Sequence, residues 1–205
     1  MSPTTRSQSM ASTSEDTGST IMASPSSSVA KSGSKSGTLY FYTARHSDTY
    51  APFSQWYPCT FKCPTSGITY TSTEQYMMHR KALLFAPGSP ICDKILSNSN
   101  PASIKKLGRQ IPGFSDDVWE RERENIVEMG NYLKFSQVDG LKDLLQGTGE
   151  REIVEASARD RIWGIGFTTQ QKPEEKRDQW GLNLLGKCLM KVRETLKLEE
   201  GGQSD

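Results

Sequence analysis

Helix starts crowd the middle of this sequence. Thr71, Ser89, Asn100 and Ser115 each stand where a side-chain oxygen can cap a first helical turn. Pro90 and Pro101 follow two of them at the first helical position. Asp116 and Asp117 follow the last, where carboxylates suit a helix N-terminus. Pro87-Gly88 and Gly108 mark stops. The spacing predicts one helix opening at Thr71 with Glu74 completing a capping box, then short helices to about Leu96 and Leu107. A long helix opens at Ser115, with Trp119, Ile126, Met129 and Leu133 on its apolar stripe. Leu141 to Leu145, and Asn183 to Leu198 with Leu185, Leu189, Val192 and Leu196 facing inward, complete the set. Only short β-prone stretches intervene: "LYFYTAR", "GITYTS" and "EIVEAS". So many helices between so few strands exclude a regular βαβ alternation. The expected fold class is α+β, mainly helical, in one compact domain.

Composition sets the limits of that domain. Residues 1–38 are about half Ser or Thr with almost no large apolar side chain. Such a segment buries too little surface to offset its ordering entropy and is expected to be disordered. The domain is expected over 39–198, with a polar tail at 199–205. A formal net charge of +1 argues against a protein that grips nucleic acid mainly through its phosphates, though not against one that reads a single modified nucleotide. No apolar run is long enough to span a bilayer, and the N-terminus lacks the apolar core of a secretory signal. The expected location is the cytoplasm, with the nucleus also open, and the four cysteines are expected as free thiols. "CTFKC" lacks a second ligand pair for zinc, and no nucleotide-binding loop, GxSxG or HExxH is present, so neither metal nor cofactor is expected.

Four clusters carry residues suited to chemistry. In "TSTEQYMMHRKALLF", Glu74 and Lys81 are seven residues apart and share one helix stripe, about 10 Å apart along the axis. They read either as solvated charges, with Glu74 a helix cap, or as an acid and a nucleophilic amine converging on one ligand. In "DRIWGIG", Trp163 can stack on a base, Gly164 lets backbone approach a ligand, and Asp160 can accept from sugar hydroxyls or serve as a second carboxylate. The plainer reading is a core tryptophan beside a turn capped by Asp160. In "PFSQWYP", Phe53, Ser54 and Trp56 form either a pocket rim or core anchors. In the last helix Asn183 suits an N-cap, Gly186 permits close packing, and Arg193 suits a buried ion pair or an anion site.

Taken in order, "PFSQWYP", "YTSTEQYMMHRKALLF", "IKKLGRQIPGF", "VWERERENIVEMGNYLKF", "LLQGTGEREIVEAS", "DRIWGIG" and "GLNLLGKCLMKVR" resemble the NADAR, or YbiA-like, family from about Leu39 to Leu196. Gln55 departs from the Asn usual there, and "KCPTSG" reads as an insert. The resemblance implies a compact YbiA-like fold and N-glycosidase chemistry on ribosylated bases. Its substrates are either ribosylamino-pyrimidine phosphates of the riboflavin pathway or ADP-ribosylated guanine in nucleic acid. It implies that Lys81 forms an imine with the ribose and that Glu74 is the helix carboxylate of the site, with Asp160 beside it. Trp119 and Trp163 become stacking surfaces, and Asn183 and Arg193 hold hydroxyls or phosphate. A non-catalytic module that binds ADP-ribose or NAD is the competing expectation. Nothing in the sequence bears on oligomeric state.

Overall fold

The computed structural model describes residues 37–43 and 48–202. The expectation of disorder for the Ser/Thr-rich segment falls outside these residues, apart from its last two positions. Thr38 already belongs to strand β1 (Thr38–Phe41).

Four helices begin where the side chains allow. Ser72, Ser89, Asn100 and Ser115 accept hydrogen bonds from the backbone N–H of Gln75, Ile91, Ser103 and Val118, opening α1 (Thr73–Phe85), α2 (Pro90–Leu96), α3 (Pro101–Gly108) and α4 (Asp116–Gln137). Each bond satisfies a donor that the helix itself leaves unpaired. The first start differs from expectation by one residue. Ser72 is the cap, and Gln75 Oε1 returns the bond to the N–H of Thr71 at 2.8 Å. The cap pair is therefore Ser72 with Gln75, and Glu74 is not part of it. Short α5 (Leu141–Gln146) and long α6 (Leu184–Gly201) complete the helices, α6 running past the expected end at Leu198. On α4 Met129 is exposed rather than part of the apolar stripe.

The strands form two separate pairs. β1 pairs in parallel with β4 (Glu152–Glu155), Leu39 opposite Ile153 and Phe41 opposite Glu155. A parallel pair needs a crossover, and here α1 to α5 lie between the two strands. β2 (Phe61–Lys62) and β3 (Thr69–Tyr70) form an antiparallel hairpin. The "KCPTSG" insert supplies its turn, with Cys63 N–H bonded to Ile68 O at 2.9 Å.

α1 is the central helix. Every residue from Thr73 to His79 is buried, as expected of a helix with neighbours on several sides. Gly108 of α3 and Gly130 of α4 lie where any side chain would run into Met78 and Tyr76, so small residues set how closely both helices approach. α6 closes on β4 in the same way. A Cβ on Gly186 would stand 2.0 Å from Ile153 O. One buried cation fastens the loop before α1: Lys134 of α4 is wholly enclosed and donates to Pro52 O and, at 3.1 Å, to Ser54 O. Burial pulls its pKa down to about 8. Among the described residues no helix is long and apolar enough to cross a membrane.

Candidate active site

Around α1 the fold leaves a cavity of about 1090 Å³. One wall is α1 itself, presenting Glu74, Met77, Met78 and Lys81. The loop fastened by Lys134 brings Ser54, Gln55 and Trp56 over the helix start, and α3 brings Lys105. Trp119 comes from α4, and the chain leaving β4 supplies Glu155, Asp160 and Trp163. Gln55 O accepts from Glu74 N–H (2.9 Å) and from Thr73 Oγ1 (3.1 Å), so loop and helix hold each other.

Three residues lining this space each carry a buried polar atom without a hydrogen-bond partner: Gln55 Oε1, Glu74 Oε1 and Glu155 Oε2. Buried polar atoms are nearly always paired, and three of the orphans found among the described residues belong to residues around this one cavity. A smaller depression of about 330 Å³ between α4 and α6 is lined by none of the orphaned atoms found among the described residues.

The charges inside are perturbed. Burial pushes Glu74 up to about 7, with nearby Asp160 adding to the effect and Lys105, Trp56 and Lys81 opposing it. Glu74 sits in the first turn of α1, where a helix N-terminus favours an anion, but 3% exposure outweighs that. Burial also lifts Glu155, to about 8, reinforced by Asp160 and Glu74 and opposed by Lys105. Lys81 moves the other way: burial lowers its pKa, with Asp116 and Glu74 opposing. Its Nζ donates to Gly108 O at 3.3 Å and lies 4.0 Å from the Phe114 ring centroid and 5.2 Å from that of Trp119. The ring faces favour the ammonium and hold the head at the cavity wall.

The structure thus brings together Lys81, Glu74, Asp160, Ser54, Trp56, Trp119 and Trp163. It does not bring in four others. Phe53 is a core anchor, fully buried and edge-on to Phe41 and Phe135. Gly164 is buried where a side chain would strike Glu155 O, so it serves packing of the chain on itself. Asn183 stands at the cap position of α6 without capping it. Its amide bridges β4 instead, donating to Ile153 O (2.9 Å) and accepting from Glu155 N–H (3.1 Å). Arg193 is buried and donates to Thr148 Oγ1 (2.8 Å) and Arg151 O (2.9 Å), away from the cavity. Asp160 also keeps its capping duty, its Oδ1 accepting from Ile162 and Trp163 N–H. Sequence reasoning missed Glu155 and the basic rim of Lys105, Arg109, Arg159 and Arg161. The available signal was the glutamate closing a β-branched strand just ahead of "RDRIWGIG".

The chain is similar to several known proteins. N-glycosidase R617 of Acanthamoeba polyphaga mimivirus is 47% identical over 146 residues, covering 69% of this chain and 85% of R617. N-glycosidase YbiA of Escherichia coli (strain K12) is 28% identical, covering 79% of this chain and 90% of YbiA. The NMR structure of the E. coli protein YbiA superposes with a TM-score of 0.65 at 27% identity, over 80% of this chain and 87% of that one. Riboflavin biosynthesis protein VVA0006 of Vibrio vulnificus (strain YJ016) is 28% identical over 78% of this chain, which spans 38% of that protein. The NADAR domain model matches residues 40–197. With the match running from β1 through nearly all of α6, the chain belongs to the NADAR domain family.

Proposed function

We propose that this chain is an N-glycosidase that cleaves the bond between a base and a phosphate-bearing ribose, using Lys81 as nucleophile. The observation that carries the reading is one cavity holding both the half-buried Lys81 amine and Glu74 with an orphaned carboxyl oxygen. Relatives named N-glycosidase at 47% and 28% identity support the reaction class.

The steps follow from the chemistry of the groups present. Breaking the C1′–N bond builds oxocarbenium character at C1′. Glu74, when ionised, stabilises that charge. The Lys81 amine bonds to C1′ as the base departs with the electron pair of the broken bond. Opening of the sugar ring converts the adduct to an imine, which water hydrolyses to free sugar aldehyde and amine. Depression of the Lys81 pKa by burial raises the share of free amine at neutral pH. Trp56, Trp119 and Trp163 offer stacking faces for the base, and the four rim cations suit phosphate.

Two substrates satisfy this description. The volume lies at the upper end for small-molecule sites, which favours the larger, ADP-ribose linked to guanine. Ribosylamino-pyrimidine phosphate is the second, favoured by the likeness to the riboflavin biosynthesis protein. Incubating the protein with each and measuring released base distinguishes them. Tight binding with both substrates left intact overturns the enzyme reading in favour of a nucleotide-binding module.

A further inference from the structure

Glu155 takes no part in the steps above, yet it is held as a proton donor should be. It ends β4 with its backbone fastened on both sides: its N–H donates to Asn183 Oδ1 at 3.1 Å, and its carbonyl accepts from Ile165 N–H at 3.0 Å. It lines the cavity that holds Lys81, and its Oε2 is buried with no partner.

The two other carboxyls of the cavity are less suited to the task. Asp160 Oδ1 is already engaged by two backbone N–H bonds, from Ile162 at 2.9 Å and Trp163 at 2.8 Å, which tie it to its own turn. Glu74 serves in the steps above as the ionised group that stabilises charge at C1′, so the proton for the leaving base has to come from another carboxyl. Burial raises both Glu74 and Glu155, and the charge of Glu74 adds to the rise at Glu155, so the coupled pair retains a proton at neutral pH.

We propose that Glu155 is the general acid of this cavity, giving its proton to the leaving nitrogen of the base as the C1′–N bond breaks. The assignment rests on the N-glycosidase reading. The electron pair of the bond passes to the base nitrogen, and the Glu155 proton neutralises it. Lys81 Nζ takes the vacated position on C1′. The resulting ammonium then returns a proton to the Glu155 carboxylate, which resets the acid and leaves a neutral adduct free to open to the imine.

Two probes test it: ADP-ribose joined through nitrogen to guanine, and ADP-ribose joined at the same carbon to 4-nitrophenolate, which departs without a proton. Glu155→Gln is expected to lose about 10²-fold or more in kcat on the first and under about 3-fold on the second, with KM and thermal midpoint little changed. Equal losses on both, or no loss on the first, overturn the assignment. Should the variant not fold, the wild type supplies the same test. The ratio of its rates on the two probes is expected to fall as pH rises through about 8. Asp160, Glu74, Lys105 and Lys81, with Arg159 and Arg161 at the rim, share the cavity. Their charges act on both probes, so the ratio isolates proton donation, and a flat ratio overturns the role. Wild-type protein inert on both probes and on ribosylamino-pyrimidine phosphate is a different failure, since it removes the N-glycosidase reading and the Glu155 role with it.

Discussion

Glu74 and Lys81 project from one face of α1 into the same cavity, the first enclosed with one carboxyl oxygen unpaired, the second half-buried against two aromatic rings. Their separation along the helix, about 10 Å, is too long for an ion pair, and Met77 and Met78 line the same wall of the cavity. A helix buried along nearly its whole first half has little reason to keep a carboxyl inside unless something passing through the cavity uses it.

Removing the Glu74 charge separates chemistry from capping. Glu74→Gln is expected to fold and to melt no lower than the wild type, because Ser72 and Gln75 make the cap. Its kcat should fall about 10²-fold. Ser72→Ala should do the reverse, costing about 1 kcal/mol of stability while most of the turnover remains. Chemical denaturation and a base-release assay on the two variants check both halves.

The same carboxyl makes stability fall with rising pH. Glu74 is raised from 4.5 to about 7 on folding, so between those values the folded state binds more protons than the unfolded chain. Its contribution is complete below about 4.5 and is lost as pH rises through about 7. The loss is on the order of 3 kcal/mol for a group this deeply buried. Glu155 extends the window to about 8. Urea midpoints measured across this range should decline in the wild type and decline less in Glu74→Gln.

Lys134 fastens the loop carrying Ser54, Gln55 and Trp56 through two backbone carbonyls. Lys134→Met fills the space but leaves Pro52 O without a donor, while Ser54 O keeps the Tyr57 N–H at 3.2 Å. A loss of about 2 kcal/mol is expected in urea unfolding. KM should rise more than kcat falls, because the loosened loop is a wall of the cavity rather than its chemistry.

Gly186 is the point where α6 meets β4. Gly186→Ala puts a methyl group against Ile153 O and the Asn183 side chain, the nearest at 2.0 Å. Backbone has to move apart there, and a destabilisation of about 3 kcal/mol or more is expected. Thermal unfolding of the purified variant, or its failure to accumulate as folded protein, checks this.

What could be read from the sequence was what is decided locally. Ser89, Asn100 and Ser115 cap their helices because serine and asparagine before proline or aspartate have few other options. At Thr71-Ser72-Thr73 three residues compete, and long-range contact decides: the Glu74 N–H is taken by Gln55 O. Helical period alone placed Glu74 beside Lys81, and the family resemblance added Trp119. Glu155 had only a faint local signal, its place at the end of a β-branched strand, because what positions it is the parallel pairing of β4 with β1, a strand distant in sequence. Asn183 and Arg193 misled for a related reason. Their side chains serve backbone groups of β4 and the turn before it, partners that no local pattern announces.

The central claim is a covalent bond between Lys81 and the sugar, and reductive trapping tests it most directly. Borohydride added during turnover of ADP-ribosylated guanine or ribosylamino-pyrimidine phosphate should fix a sugar adduct, which intact-protein and peptide mass spectrometry locates at Lys81 in the wild type and does not find in Lys81→Ala. Turnover without a trapped adduct, or the same adduct in Lys81→Ala, would contradict the account.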